Sequence, residues 1–333
     1  MRYRKLGDSA IEVSEIGLGC WTLGGLSQKN GQSSGWAEVE REDIVKAVQS
    51  ALESGVNHFD NADIYGNGKA ERLLADCLSD LGIDNRSIVI ASKVGYVEND
   101  ASHPYKSTNI RLQCERSLRN LKRDYLDIYY LHHDDFGSND RYLEEAATTM
   151  QQLKQEGKIR LIGQSSYRSS RFEKIIPIVA PTVLQSWAHI LDTKFVEPSG
   201  IVGQLLRKNR MSFVAFSPLN QGLLLDKYKA NDPPRFEPGD HRRSNPKFSE
   251  ETLARLEPKL AALKERFGNR TEDLAAIALR YVLNFPNVAS AIPGFRNQAQ
   301  VECNLNACHR ELDSQDMAFI KTIVSAKPRS SAA

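Results

Sequence analysis

Short apolar runs alternate with longer segments whose apolar residues recur at helical spacing along almost the whole chain. Residues 41–55 illustrate the longer segments. Ile44, Val48 and Leu52 fall on one helical face there, and a glycine ends the segment. Residues 56–60 form the next short apolar run, which predicts a strand. The predicted strands lie at residues 15–19, 56–60, 87–93, 126–132, 159–165, 182–187, 211–217 and 288–294.

Each predicted strand is followed by a predicted helix, which makes eight strand–helix units. Strands that alternate with helices pair in parallel, and eight such units close into a barrel. The pattern therefore predicts an α/β fold, a (β/α)8 TIM barrel that residues 1–333 form as a single domain. The predicted helices lie at residues 41–55, 69–82, 108–122, 142–157, 170–178, 199–209, 272–284 and from about residue 297, with an extra helix at 250–268.

An open, doubly wound sheet is the alternative fold for this pattern. It is less favoured because neither a linker nor a change of composition divides the chain. In addition, GLGCWT, which begins at Gly17, has threonine at the third glycine place of the dinucleotide-binding motif. Residues 2–14 precede the first strand, and we expect them to form a β-hairpin that turns at residues 7–9 and covers the N-terminal end of the barrel.

Composition excludes several classes of protein. The 44 basic and 42 acidic residues give a net charge of +2, which argues against a nucleic-acid partner. No apolar segment is long enough to span a bilayer, and the first residues lack the apolar core of a signal peptide. Five cysteines without a C-x-x-C pair suit a reducing compartment, so we expect a cytoplasmic protein with no membrane partner. No heptad repeat argues for a homo-oligomer, and that question stays open.

Four chemically active side chains stand at or near the ends of three consecutive predicted strands. Asp60 ends the second strand, Lys93 the third and His132 the fourth, while Tyr65 lies in the loop after the second strand. Reactive groups in such barrels gather at the C-terminal strand ends, and neighbouring strands lie about 4.8 Å apart, so the four can converge. Taken alone, each has a structural explanation as a turn, packing or core residue. A buried ammonium needs a partner, however, and Asp60 is the natural one for Lys93.

The combination suggests proton donation to an oxygen that gains negative charge. A phenol has an ordinary pKa of about 10. We expect the Lys93 ammonium to lower the pKa of Tyr65 and so to make it a better proton donor. Asp60 would hold Lys93, and a neutral His132 would orient a carbonyl oxygen beside the phenol. Carbonyl reduction fits these roles if a hydride donor is present.

Six stretches of the chain together resemble the aldo-keto reductase superfamily, in strand order from the first residue to about residue 310. They are GVNHFDNADIYGNGKAERLL, IVIASKVG, LDIYYLHHDD, GKIRLIGQSSY, FVAFSPLNQGLL and AIPGFRNQAQVECNL. The resemblance implies an (α/β)8 barrel that uses NADPH without a Rossmann domain, with a catalytic tetrad of Asp60, Tyr65, Lys93 and His132. Successive residues of a strand point in different directions, so His133 would face away from His132, and we expect no metal site.

The resemblance also implies where a cofactor binds, mostly on the loops after strands five to eight. Phe216 matches an aromatic residue that stacks on nicotinamide. Lys227 and Arg296 match a site for a 2′-phosphate, which favours NADPH and leaves NADH as the alternative. Two departures weaken the match, because Ser166 replaces a usual asparagine and Asp226 precedes the lysine. The implied cofactor contacts are Cys20, Ser165, Ser166, Gln185, Phe216, Ser217, Leu219, Gly222, Lys227, Gly294, Arg296, Gln300 and Asn304.

The residues that contact substrate are harder to predict. Trp21 and Trp187 offer aromatic walls for a pocket. Residues 25–40, 94–107 and 228–248 look like variable loops. We expect the last of these, which is rich in proline, glycine and arginine, to fold over substrate or cofactor.

The leading hypothesis is an NADPH-dependent oxidoreductase that reduces a small-molecule aldehyde or ketone, bulky or sugar-like, to an alcohol. Tyr65 would be the general acid. One alternative is a cofactor-binding regulatory barrel, since potassium-channel β-subunits resemble the same family. The other is a metal-dependent barrel hydrolase, which would need ligands at further strand ends.

Overall fold

Eight parallel strands form a closed barrel in the computed structural model of the chain, which describes residues 1–29, 32–97 and 99–325. The strands are β1 (Tyr3–Lys5), β2 (Glu12–Ser14), β3 (Leu18–Gly19), β4 (Leu26–Lys29), β5 (Gln32–Gly35), β6 (His58–Asp60), β7 (Val89–Val94), β8 (Leu126–Leu131), β9 (Ile159–Ser165), β10 (Val183–Trp187), β11 (Ser212–Phe216) and β12 (Val288–Ile292). In the barrel, β3 and then β6 to β12 follow one another in chain order, and each pairs in parallel with the next.

The barrel closes between β3 and β12 through backbone hydrogen bonds. The N–H of Gly17 donates to the carbonyl of Ala291 at 2.9 Å. The N–H of Gly19 donates to the carbonyl of Pro293 at 3.0 Å. A Cβ atom at Gly19 would lie 2.9 Å from the carbonyl oxygen of Ile292, so only glycine permits this close approach. The predicted closed barrel is therefore confirmed over the open sheet.

Ten α-helices accompany the strands in the described part of the chain. They are α1 (Arg41–Glu53), α2 (Lys69–Asp80), α3 (Ser107–Leu121), α4 (Leu143–Gln155), α5 (Arg171–Val179), α6 (Ile201–Lys208), α7 (Glu250–Phe267), α8 (Thr271–Leu283), α9 (Gln298–Leu305) and α10 (Ser314–Ser325). The eight predicted strand–helix units are confirmed, and the predicted extra helix is α7. The last helix, α10, lies beyond the stretch that the resemblance covers and has no counterpart among the predicted helices.

The N-terminal hairpin closes one end of the barrel, as predicted. β1 and β2 pair antiparallel, and their apolar residues Leu6, Ile11 and Val13 are buried. These side chains pack against barrel-interior residues such as Val183 and Val214. The hairpin therefore fills the N-terminal end of the barrel, which leaves the opposite end for chemistry.

A second hairpin, formed by β4 and β5, lies within residues 25–40, where the pattern predicts only a variable loop. Its strands are polar and lack the alternation of a half-buried strand. The sequence does carry an Asn-Gly pair, a strong hairpin signal, at residues 30–31, which lie outside the described residues.

Polar side chains form a buried layer inside the C-terminal half of the barrel. Tyr130, the register partner of Lys93, lies against Gly163, where a Cβ atom would stand 2.2 Å from its ring. Glycine at this position therefore makes room for the tyrosine ring beside the polar layer. The buried polar residues include His58, Asp60, Lys93, Gln185 and Ser290.

The apolar residues form two buried clusters, one inside the barrel and one between strands and helices. Of the helices in the described residues, none combines the length and hydropathy that crossing a bilayer requires. That residues 1–333 form a single domain stays a prediction.

Candidate active site

The four residues predicted as a tetrad lie together at the C-terminal end of the barrel. The Lys93 ammonium donates to Oδ1 of Asp60, to the carbonyl oxygen of Asn61 at 2.7 Å and to the Tyr65 hydroxyl at 3.2 Å. The side chains of Lys93 and Asp60 are only 1% and 3% exposed. A buried ion pair is tolerated when further hydrogen bonds satisfy both partners, and Lys93 has these.

The second carboxylate oxygen of Asp60 also has a partner. Nε2 of Gln185, on β10, donates to Oδ2 of Asp60 at 2.8 Å, and both side chains are buried. The resemblance implies a cofactor contact for Gln185, but here its amide faces the carboxylate. Asp60 therefore binds a donor with each of its two oxygens.

Tyr65 is held in its protonated form. Burial raises the pKa of Tyr65 well above its ordinary value, and the negative charge of Asp60 raises it further. The prediction of a lowered pKa for Tyr65 is therefore wrong, because burial of the phenol and the charge of Asp60 raise it. The consequence for chemistry is favourable, since only the protonated phenol can donate a proton.

His132 and His133 face different surroundings, as the alternation along the strand predicts. The ring of His132 makes edge-to-face contacts with the rings of Tyr65 and Tyr96. The distances between ring centroids are 5.8 and 4.7 Å, respectively. His133 also touches Tyr96 but turns toward Tyr105, at 4.7 Å. Within the described residues, no three His, Cys, Asp or Glu side chains cluster as a metal site.

Asp134, from the same HHDD stretch, is a buried anchor for the loop after β9. Its Oδ2 accepts from the Ser166 hydroxyl at 2.8 Å and from Nε of Arg168 at 2.9 Å. Asp134 thus binds the hydroxyl of Ser166, the residue that replaces the asparagine expected from the resemblance. Asp134 is 5% exposed and so does not line an open entrance.

Not every predicted cofactor contact reaches the surface of the cleft. Cys20 is fully buried, and its thiol lies 3.7 Å from the carbonyl oxygen of Leu18. Ser165, Ser166, Gln185 and Asn304 are also buried. For these five residues the structure does not support direct exposure, because position in the sequence does not reveal depth. The predicted contacts that do reach the surface are Phe216, Ser217, Leu219, Gly222, Lys227, Gly294, Arg296 and Gln300.

Aromatic rings line the cleft near the ends of β10 and β11. Trp187 and Phe216 lie with ring centroids 6.5 Å apart, and the Tyr167 ring lies 5.9 Å from each of them. Trp187 is fixed by a hydrogen bond from its indole N–H to Asp192 at 2.8 Å. Trp187, which is predicted to contact substrate, and Phe216, which is predicted to contact the cofactor, are therefore neighbours.

The loop after β11 carries left-handed backbone conformations. The φ angles are 52° at Ser217, 46° at Asn220, 60° at Gln221 and 89° at Gly222. Such conformations at non-glycine residues are unfavourable by about 1–3 kcal/mol each and concentrate at ligand-binding sites. Lys247 donates to the Asn220 side chain at 2.9 Å and so ties the 228–248 segment to this loop.

Basic and amide side chains lie just before α9 and along it. Arg296 is half-buried and donates to the carbonyl of Glu38 at 2.7 Å. Nε of Arg296 and Nδ2 of the buried Asn304 have no hydrogen-bond partner within the described part of the chain. Burial raises the pKa of the Cys303 thiol on α9, and the positive charge of Lys227 opposes this rise.

Asp226 does not leave an unopposed negative charge beside Lys227. Its carboxylate accepts from Lys229 and from Lys264, each at 2.7 Å. Although burial acts to raise the pKa of Asp226, these two lysines lower it overall. Two lysines therefore balance the negative charge of Asp226, so this charge argues less strongly against a phosphate site at Lys227.

Five residues near the site were not predicted from the sequence. The centroid of the Trp21 ring lies 6.1 Å from that of Tyr65. It also lies 5.7 Å from the ring of Trp36 and 4.4 Å from the ring of His241. The 228–248 segment reaches this cluster by pairing with β5, through a 3.0 Å bond from Gly35 N–H to the Gly239 carbonyl. The expectation that this segment folds over the site is consistent with these contacts. The unpredicted residues are Trp36, Tyr96, Tyr167, His241 and Arg242.

Comparisons with known proteins agree with this arrangement. A model of the aldo/keto reductase family matches residues 15–325. The chain is 28% identical to L-galactose dehydrogenase of Arabidopsis thaliana, over 94% of this chain and 90% of the relative. It is 26% identical to a probable voltage-gated potassium channel subunit beta of Oryza sativa subsp. japonica, over 99% and 98%. A solved aldo-keto reductase from Bacillus halodurans, in its holo form, superposes with a TM-score of 0.74 and 25% identity over 99% of both chains.

Proposed function

The chain belongs to the aldo/keto reductase family, and we propose that it reduces an aldehyde or ketone with hydride from NADPH and a proton from Tyr65. Members of this family are NAD(P)H-dependent oxidoreductases that act on carbonyl groups. The observation that carries the finer proposal is the buried Lys93, which contacts both Asp60 and the Tyr65 hydroxyl.

The proton step follows from these contacts. Tyr65 gives its hydroxyl proton to the carbonyl oxygen as that oxygen gains negative charge. The phenolate that remains accepts a hydrogen bond from Lys93, which Asp60 keeps in place. The ring of His132, beside Tyr65, orients the carbonyl oxygen. Hydride at the carbonyl carbon and the proton at its oxygen together yield the alcohol.

The surface beside the tetrad fits a nicotinamide dinucleotide, which supplies the hydride when it is bound. Phe216 offers a ring for the nicotinamide, and the loop after β11 has the left-handed backbone conformations that concentrate at ligand-binding sites. The unsatisfied N–H groups of Arg296 and Asn304 are suited to the phosphate and adenine groups. Lys227 adds a second positive charge at that end.

We expect Arg296→Ala to weaken NADPH binding selectively. A hydrogen bond to a charged group contributes about 1.5–3 kcal/mol, so the Kd for NADPH should rise roughly 10- to 150-fold while that for NADH changes little. Both affinities are measured by tryptophan fluorescence. Arg255→Ala, which removes an arginine whose side chain is 55% exposed on α7, is the control. An equal loss for both nucleotides would mean that Arg296 acts only through its contacts with residues 37 and 38.

The substrate proposed is a bulky or sugar-like carbonyl compound. Trp21, Tyr96, Tyr167 and Trp187 surround the tetrad with aromatic faces, and the hydroxyls of Tyr96 and Tyr167 hydrogen-bond to each other. Flat aromatic faces with nearby hydroxyl groups suit a ligand that has both C–H surfaces and polar groups. The similarity to a dehydrogenase named for L-galactose supports the same class.

The test is NADPH consumption by the purified protein with a panel of aldehydes, ketones and reducing sugars. We expect consumption that depends on the carbonyl compound and is faster with NADPH than with NADH. Nucleotide binding without turnover of any compound would favour a regulatory barrel, to which the similarity to a channel subunit beta points. Failure to bind either nucleotide would overturn the proposal. A cytoplasmic location stays a prediction, and whether the chain forms a homo-oligomer stays open.

A further inference from the structure

Gln185 occupies an unexpected place for a cofactor contact. Its side chain is 2% exposed and points from β10 into the barrel. There Nε2 lies 2.8 Å from Oδ2 of Asp60, on the far strand β6. The contact spans the barrel interior and joins strands that are not neighbours in the sheet.

The contact completes a continuous hydrogen-bonded chain that ends on the proton donor. Gln185 donates to one oxygen of Asp60, and Lys93 donates to the other. Lys93 also reaches the Tyr65 hydroxyl at 3.2 Å. A carboxylate that is bound at both oxygens cannot rotate without losing one of the two bonds. The Asn61 carbonyl also holds Lys93, at 2.7 Å, and Gln185 fixes the Asp60 side of the lysine's position.

Packing under this chain leaves little freedom to rearrange. The ring of Tyr130 is fully buried, and its centroid lies 6.0 Å from the Lys93 nitrogen. Tyr130 is itself held against Gly163, which has no side chain to move away. Close-packed interiors transmit a displaced side chain to its neighbours. Loss of the Gln185 amide would therefore leave Oδ2 of Asp60 without this donor and let the carboxylate shift.

We propose that Gln185 is a positioning residue for proton transfer, which holds Asp60, and through it Lys93, in line with Tyr65. This inference rests on the proposed function and differs from the cofactor contact that the resemblance implies. When Tyr65 gives up its proton, a fixed Lys93 stabilises the phenolate. Without Gln185, Asp60 turns and draws Lys93 away, so the chemical step slows while the nucleotide still binds.

The test is Gln185→Met, which keeps the length of the side chain and removes its N–H donors. We expect kcat at saturating NADPH to fall tenfold or more, with a Kd for NADPH within twofold of wild type. Gln113→Met is the matched control, because Gln113 is equally buried, at 2% exposure, on α3 outside the barrel. The control should leave both quantities unchanged.

A second variant separates positioning from a general packing defect. In Gln185→Glu the new carboxyl donates to Asp60 only when it is protonated, so kcat relative to wild type should rise as the pH falls. Gln185→Met should show no such rise. The titratable groups around this position are Asp60, Lys93, Tyr65, Tyr130, His58 and Cys20.

The following results would overturn the inference that Gln185 positions Asp60 and Lys93. If Gln185→Met raises the Kd for NADPH tenfold and regains wild-type kcat at saturation, Gln185 is a cofactor residue and the inference fails. Unchanged kcat and Kd overturn it as well, as does a low kcat that Gln185→Glu does not regain at acidic pH. Wild-type protein that turns over no carbonyl compound overturns the proposed function itself, and with it this inference.

Discussion

Tyr65→Phe is expected to lower kcat for carbonyl reduction by roughly 10²- to 10⁴-fold, the range typical for loss of a general acid. Phenylalanine keeps the ring that lies beside Trp21 and His132 but removes the hydroxyl that Lys93 contacts. The pocket should therefore keep its shape. We expect the Kd for NADPH and the midpoint of thermal unfolding to stay close to those of wild type, and all three quantities are measured side by side.

Tyr129→Phe is the control for this experiment. Tyr129 is fully buried on β8, and its hydroxyl has no hydrogen-bond partner among the described residues. Removing an unsatisfied buried hydroxyl should leave activity unchanged and should not lower stability, because the desolvation cost of that hydroxyl disappears. If Tyr65→Phe retained activity within tenfold of wild type while Tyr129→Phe behaved as expected, the proton would have to come from another donor, and the role of Tyr65 would be lost.

The sequence predicts the barrel and the meeting of the tetrad for one physical reason. In a parallel barrel the ends of neighbouring strands are fixed close together, so the position of Asp60, Lys93 and His132 at strand ends determines that they meet. No knowledge of side-chain packing is needed for that step. Alternation continued past the end of the predicted strand at residues 126–132 likewise predicts that His132 and His133 face different surroundings.

The sequence does not reveal how deeply a side chain is buried or which residues far apart in the chain contact each other. The pKa of Tyr65 depends on how completely the phenol is buried. The sequence-based prediction gives the wrong direction for the pKa shift because it considers only the nearby Lys93 ammonium. The Gln185–Asp60 contact joins residues 125 positions apart. His241 and Gly35, which pair 206 positions apart, join two segments whose pairing the sequence does not predict, and they bring His241 beside Trp21. Such contacts depend on the complete three-dimensional arrangement.

Lys93→Met is expected to lower the free energy of unfolding by about 3–5 kcal/mol, because it leaves the buried Asp60 carboxylate without its opposite charge. It should also lower kcat by roughly 10²- to 10³-fold, since the phenolate loses its stabilising donor. Urea unfolding and steady-state kinetics measure the two effects on one preparation. Lys122→Met removes a lysine from an exposed ion pair with Asp76, and should lower stability by no more than about 1 kcal/mol.

The double variant Lys93→Met with Asp60→Asn separates stability from chemistry. The asparagine carbonyl still accepts from Gln185, and no charge is left buried, so much of the lost stability should return. Activity should not return, because nothing then stabilises the Tyr65 phenolate. A single Lys93→Met variant as stable as wild type would contradict this account. It would mean that Asp60 takes up a proton when its partner is removed, and the stability of that variant, relative to wild type, would then rise as the pH falls.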